Sequence, residues 1–415
     1  MSMFYDALET RNPDLREADL MASLPRQIAQ AQQRSTAFAQ LLQGVDAAQI
    51  NSRAALAQLP VTRKSELLQR QASLRPQQIF GGFNAIALGS EMPRLFASPG
   101  PIYEPESQRA DYWRMARALY AAGFRNGDLI HNCFSYHFVP AGSMMETGAH
   151  ALGCTVFAGG TGQTEQQVQA MNDMRPNGYV GTPSFLKIIV EKARELGTPL
   201  PSLTKAMVSG EALPPSLHDW FAEHGIDSYQ CYATADLGLI AYETSAREGL
   251  VLDEGVIVEI VRPGTGDPVA EGEVGELVVT TLNPDYPLIR FGTGDLSACL
   301  PGPCPTGRSN ARIKGWMGRA DQTTKVRGMF VHPQQVAEIV RRFPQVNKAR
   351  LVVSGSMASD LMTLQVETME TAAGLAEQLA STTREITKLR AEVQLLRPGE
   401  LPNDGKVIED ARDYR

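Results

Sequence analysis

The chain has 415 residues, 43% of them hydrophobic and 20% charged, with a formal net charge of −7. That length suits one large domain plus a small one, and the composition excludes an intrinsically disordered chain. The modest negative charge leaves no electrostatic footprint for nucleic acid, and no run approaches the roughly 20 apolar residues of a membrane span.

The N-terminal stretch MSMFYDALETRNPDLREADL mixes charges and lacks the basic start and apolar block of a secretory signal, so a cytoplasmic protein is expected. Residues 14–80 read as helices: LPRQIAQAQQRSTAFAQLLQGV and NSRAALAQL carry apolar positions at helical spacing, and LPVTRKSELLQR offers Thr62 as a cap before a charged helix start. From about 95 to 190, buried strand-like runs (DLIHNCF, TVFAGG, GYVGT) alternate with helical ones (AGSMMETGAHALG, QTEQQVQAMNDM, PSFLKIIVEKARELG). KAMVSG, PPSLHDWFAEHG and SYQCY repeat the theme, which predicts a parallel sheet with helices on its faces. After residue 250 the pattern turns to hairpins. GVIVEIVRP and GELVVTTL, joined through GTGDP, predict an antiparallel, β-barrel-like region. Beyond residue 320 a compact tail reads helix, strand, strand, helix, strand. Its second helix places Leu375, Leu379, Ile386 and Leu389 on one face. The expected organisation is α/β: a large domain over 1–320 with parallel α/β sheets and the hairpin region, and a small mobile α+β lid over 321–415.

Five cysteines (Cys133, Cys154, Cys231, Cys299, Cys304) are scattered, odd in number and free of any CxxC pair, which fits reduced thiols. The six histidines show no metal-binding spacing, so no zinc is expected. Four polar clusters fall at strand ends or loops, where an open α/β sheet places its ligands. They are SGEAL at 209–213, YATAD at 232–236, IRFGTGDLSA at 289–298, and GWMGRADQTTKVRG at 315–328 with LPNDGKVIED much later. Singly, each reads as a turn, a cap or a solvated charge; their order and spacing together say more.

That ordered set resembles the adenylate-forming superfamily, within it the phenylacetate–CoA ligase branch, over nearly the whole chain. LPVTRKSELL is similar to the branch's LPxTxKxDL segment, and HNCFSYHFVPAGSMMETGAHALGCTVF to the stretch carrying a Tyr-rich acyl pocket. YATAD stands where the family has YGxSE or YGxTE. GEVGELVVTT, IRFGTGDLS and RIKGWMGRADQTTKVRGMFVHPQQVAEIV resemble the segments that follow, and LPNDGKVIED the terminal GKxxR segment. The resemblance implies two half-reactions: a carboxylate attacks the α-phosphate of ATP to give acyl-AMP, and the thiol of coenzyme A then displaces AMP. It places Ser98, Gly210, Glu211, Tyr232, Ala233, Thr234, Asp295, Arg319 and Lys325 around the nucleotide, with Tyr232 stacking on adenine and Asp295 accepting from the ribose hydroxyls. Asp236 is the implied Mg²⁺ ligand and Lys406 the catalytic charge at the α-phosphate. Asp321 is the implied hinge, Arg327 and Gly328 the coenzyme A passage, and Tyr136, His137 and Phe138 the acyl site. The implied acid is aromatic or arylacetic, and the resemblance allows a homodimer.

Two departures stand out. The family's Ser/Thr/Gly-rich phosphate loop is replaced by FASPGPIYEPES at 96–107, whose prolines lack N–H donors and which keeps only Ser98 and Gly100 of the usual residue types. In YATAD the hydroxyl residue before the acid has become Ala235, and the acid has shortened to Asp236. A smaller difference is CPTG, with Cys304 alone, where some relatives carry a cysteine pair. Three readings follow: a working ligase, an adenylating enzyme that serves a carrier-protein thiol, and a nucleotide- or acyl-binding protein without turnover.

Overall fold

The computed structural model describes residues 2–262, 266–320, 322–356, 359–369, 374–402 and 407–412. It divides into two compact units, Met1–Met317 and Gly318–Arg415.

In the first unit, short apolar runs between helical segments form one nine-stranded sheet. Its parallel part has Leu129–Asn132 flanked by Thr155–Ala158 and Gly178–Gly181, followed by Lys205–Val208 and Asp227–Thr234. Antiparallel strands Gly238–Glu243, Leu250–Leu252, Arg312–Ile313 and Cys299–Leu300 extend it. The intervening helices follow from local chemistry. Pro183–Glu195, for example, starts at an N-cap Thr182 with proline in its first turn, and buries Leu186, Ile189, Val190 and Ala193 on one stripe. Because the five parallel strands run the same way, their carboxyl ends share one edge, the side where such sheets hold ligands.

The two strand runs after residue 250 pair antiparallel, from Val256 against Thr281 to Val261 against Glu276. They belong to an open four-stranded sheet in the order Thr62–Arg63, Phe291–Ser297, Gly275–Thr281, Val256–Val261. Thr62 is not the cap that the sequence suggested. It pairs in this sheet opposite Phe291 and its hydroxyl donates to the Ile289 carbonyl (3.2 Å), while Glu66 reaches back to the Arg63 N–H at the start of helix Lys64–Leu74. Pairing with a strand end uses residue 62 before the helix can.

The second unit holds helix Pro333–Arg341, strands Val346–Ser356 and Ser359–Thr368, helix Leu375–Thr387 and strand Glu392–Leu396, in the expected order. Leu375, Leu379 and Leu389 are buried and Ile386 packs beside them on Val336, Ile339, Leu351, Val353 and Leu364. A hairpin, Thr324–Val326 with Met329–Val331, and a strand, Ile408–Asp410, were not read from the sequence.

One buried charge anchors the hairpin sheet. Arg290 is 2% exposed; its guanidinium holds both oxygens of Glu259 (2.9 and 3.1 Å) and the carbonyls of Ala57, Leu59 and Gly266. Arg290→Met leaves Glu259 without its cation and three carbonyls without a donor. Losing one partner of a buried pair costs about 3–5 kcal/mol, so the denaturant midpoint should fall well below wild type.

Candidate active site

The residues that the sequence singled out in the first unit collect at the carboxyl edge of the parallel strands. Strand Lys205–Val208 leads into Ser209, whose hydroxyl donates to the Cys231 carbonyl (2.9 Å), and then into exposed Gly210 and Glu211. Gly210 has φ +80, a left-handed turn conformation that glycine adopts without penalty. Glu211 accepts a long contact from the Ser184 N–H (3.4 Å).

Strand Asp227–Thr234 delivers Tyr232, Ala233 and Thr234 to the same edge, all half-buried. Here the pairing with the next strand shifts: Tyr232 faces Ala241, but Ala233 faces Leu239, so Ile240 is an inserted residue. Such bulges re-aim side chains at the rim of a sheet. Tyr232 donates its hydroxyl to Asp295 (2.6 Å), and the indole N–H of Trp316 donates to the other Asp295 oxygen (3.1 Å). Asp295 lies on strand Phe291–Ser297, so this contact joins the two sheets. Thr234 is committed to the turn, its hydroxyl oxygen accepting from the Leu237 N–H (3.1 Å).

Asp236 in that turn is 4% exposed; one carboxylate oxygen accepts from the Lys64 ammonium (2.8 Å), and the other, Oδ1, is buried without a partner. Among the described residues no three of His, Cys, Asp and Glu converge as metal ligands.

The segment 96–107 is not a loop. Arg94–Ser98 and Ile102–Glu106 form an antiparallel hairpin, with Arg94 opposite Glu106 and Ser98 opposite Ile102. Side chains two apart share a face, and that face turns Glu104 and Glu106 inward to 0% and 1% exposure. Glu106 accepts from Arg94 (2.7 Å), the Trp113 indole (2.6 Å) and Ser143 (2.6 Å). Glu104 accepts from both Ser98 donors, the hydroxyl at 2.5 Å and the backbone N–H at 3.3 Å. Burial, and after it the charge of Asp236, pushes the Glu104 carboxyl up to about 8.

The hairpin also touches the segment offered as the acyl site. The Ala97 N–H donates to the Phe138 carbonyl (2.7 Å). Tyr136 is half-buried, its hydroxyl accepting from Asn132 (2.8 Å) and donating to Glu146 (2.8 Å), and burial together with Glu146 raises its pKa. His137 is exposed and Phe138 is 81% exposed, so the structure separates Tyr136 from its two neighbours.

In the second unit Arg319 is half-buried and Lys325 exposed. Arg327 (φ 47) and Gly328 (φ 82) are the two left-handed residues that close the hairpin, and Arg327 is held by Asp360 through its N–H (2.9 Å) and guanidinium (3.0 Å). Asp321 and Lys406 lie outside the described residues.

Residues 107–283 match the family model described as AMP-binding enzyme, and residues 328–415 match that of the AMP-binding enzyme C-terminal domain. A phenylacetate–coenzyme A ligase of Aromatoleum evansii is 31% identical, covering 78% of this chain and 74% of its own. One of Thermus thermophilus is 28% identical with both chains covered in full. The chain belongs to the AMP-binding enzymes, in their phenylacetate–CoA ligase-like branch. Its fold is also that of a solved 2-hydroxyisobutyryl-CoA ligase complexed with 2-HIB-AMP and CoA. The TM-score is 0.82, with 23% identity over 100% of this chain and 93% of that one.

Lys64, Glu104, Asn132 and Glu146 join the candidate site without having been singled out from the sequence. The LPVTRKSELL segment already contained Lys64, but only as a helix start; Glu104 and Glu106 were visible as two acids in a proline-rich stretch without any sign that they turn inward. The raised Glu104 carboxyl carries a linkage signature. Folding retains a proton that the unfolded chain has lost between the ordinary 4.5 and about 8, so its contribution is full below 4.5 and is lost as pH rises through about 8. Glu104→Gln removes that slope. Melting temperatures of the two proteins, compared from pH 5 to pH 8.5, should shift progressively in favour of the variant as pH rises.

Proposed function

We propose that this chain activates a carboxylic acid with ATP to give acyl-AMP and pyrophosphate, then transfers the acyl group to coenzyme A. The observation that carries the reading is the Tyr232–Asp295 contact at the carboxyl edge of the parallel strands, beside the bulge at Ile240. It sets a flat ring and an acceptor carboxylate side by side, which suits adenine stacking and a pair of ribose hydroxyls. The similarity to phenylacetate–coenzyme A ligases supports the same chemistry.

In this reading Gly210, Glu211, Ala233 and Thr234 complete the adenine edge, Arg319 and Lys325 approach ribose and phosphate, and Ser98 lies on the phosphate side. Lys406 supplies a positive charge at the α-phosphate as negative charge develops there. The open Oδ1 of Asp236 is the group that would hold the Mg²⁺ accompanying ATP, and the ion would neutralise phosphate charge. Tyr136, fixed by Asn132 and Glu146, orients the acid with His137 and Phe138 at the rim. Asp321 is the pivot on which the second unit turns, bringing Arg327 and Gly328 to the pantetheine arm. We take the acid to be aromatic or arylacetic and the enzyme to be cytoplasmic, where ATP and coenzyme A are available.

ATP–pyrophosphate exchange across a panel of aryl and alkyl acids, with thioester formation measured when coenzyme A is added, tests this reading; no exchange and no thioester with any acid would sink it. Removing one preorganised charge at a developing oxyanion costs about 10²–10³ in rate. Lys406→Ala should therefore slow acyl-AMP formation by about that factor and leave thioester formation from supplied acyl-AMP nearly intact in single-turnover assays. Equal slowing of both halves removes Lys406 from the first step.

A further inference from the structure

In a phosphate-binding loop, hydroxyl and backbone N–H donors point at an anion's oxygens. Here the donors of Ser98 are already taken, by a side-chain carboxyl of the protein itself. Glu104 takes the Ser98 hydroxyl at 2.5 Å and its N–H at 3.3 Å, is fully buried, and lies within electrostatic reach of Asp236. The neighbouring groups leave little to attract a further anion. The Lys64 ammonium is matched by Asp236 (2.8 Å), and Pro99 and Pro101 carry no N–H. On the opposite side, Tyr232 and Asp295 stay half-buried and reachable.

We propose that Glu104 is a specificity-determining residue: its carboxyl group occupies the place of a terminal phosphate, so that the site favours a nucleoside monophosphate or its acyl ester over a nucleoside triphosphate. This rests on the nucleotide-site reading above and deepens it. ATP enters only by displacing Glu104 from Ser98, against the charge of Asp236, whereas AMP and acyl-AMP, which have no β- and γ-phosphates, leave the hairpin as it is. The first half-reaction is thereby held back relative to the second.

Calorimetric titration of AMP, ATP and inorganic pyrophosphate into wild type, Glu104→Gln and Glu104→Ala tests the proposal. Wild type should bind AMP at least about tenfold more tightly than ATP and give no heat with pyrophosphate. Glu104→Ala, which releases both Ser98 donors, should tighten ATP by at least about tenfold, the range of a hydrogen bond to a charged group. Glu104→Gln, which keeps an acceptor in reach of Ser98, should tighten ATP less than Glu104→Ala does. Unchanged AMP affinity in each variant reports that the site has folded; where Glu104→Ala loses it, Glu104→Gln carries the comparison. Wild type that binds ATP as tightly as AMP, or no folded variant that tightens ATP, overturns the role of Glu104 and leaves the nucleotide site standing. Failure of wild type to bind AMP at all removes the nucleotide site, and the role of Glu104 with it.

Discussion

A single lysine makes it possible for two acidic side chains to lie close together under the edge of the sheet. Asp236 and Glu104 are both buried, and the Lys64 ammonium, at the start of the helix that follows Thr62–Arg63, pairs with Asp236 and acts on Glu104 through its charge. Burial keeps a proton on Glu104 up to about 8, so the lysine serves chiefly Asp236; without it a buried carboxylate would lose its cation or the turn at 235–237 would have to open to water. The ion pair also ties two parts of the chain that are far apart in sequence, the 62–74 segment and the turn that follows strand Asp227–Thr234. The position of Tyr232, and through it of Asp295, depends on where that strand end is held.

Much of the architecture was legible because it follows from periodicity. The parallel strands, their helices, the paired runs 256–261 and 275–281, and the order of the second unit all come from apolar patterns that one face or one edge must bury. What escaped was decided by pairing partners distant in sequence. Thr62 looks like a helix cap until Phe291 appears beside it. FASPGPIYEPES looks like a degraded loop because three prolines and two acids carry no strand period, yet Arg94, Trp113 and Ser143, spread over about 50 residues, converge on Glu106 and make burial of that face affordable. In the candidate site, Tyr232 and Asp295 were legible as family positions, whereas Glu146 and Asn132 were not, since nothing local in the sequence says that Tyr136 bridges them.

The AMP-binding enzymes share a fold whose ligand edge is defined by strand direction, and this chain keeps that edge while rebuilding one wall of it. Tyr232 and Asp295 lie on strands of the two sheets, where a side chain's direction is set by the ladder. The 94–106 segment forms a two-stranded sheet of its own, so its sequence can change without disturbing the nine-stranded ladder.

The inserted Ile240 carries a consequence for how this edge can diverge. Side chains alternate along a strand, so one residue added or removed there exchanges inside for outside for everything up to the next turn. Loss of Ile240 would leave Ala233 opposite Leu239 but remove the bulge, and with it the local re-aiming of the strand end that leads into the turn bearing Asp236. Across related sequences the stretch from Tyr232 to Tyr242 should thus vary in side-chain identity but hold its length, and gaps should gather instead around 301–307, where the chain turns outside the regular strands.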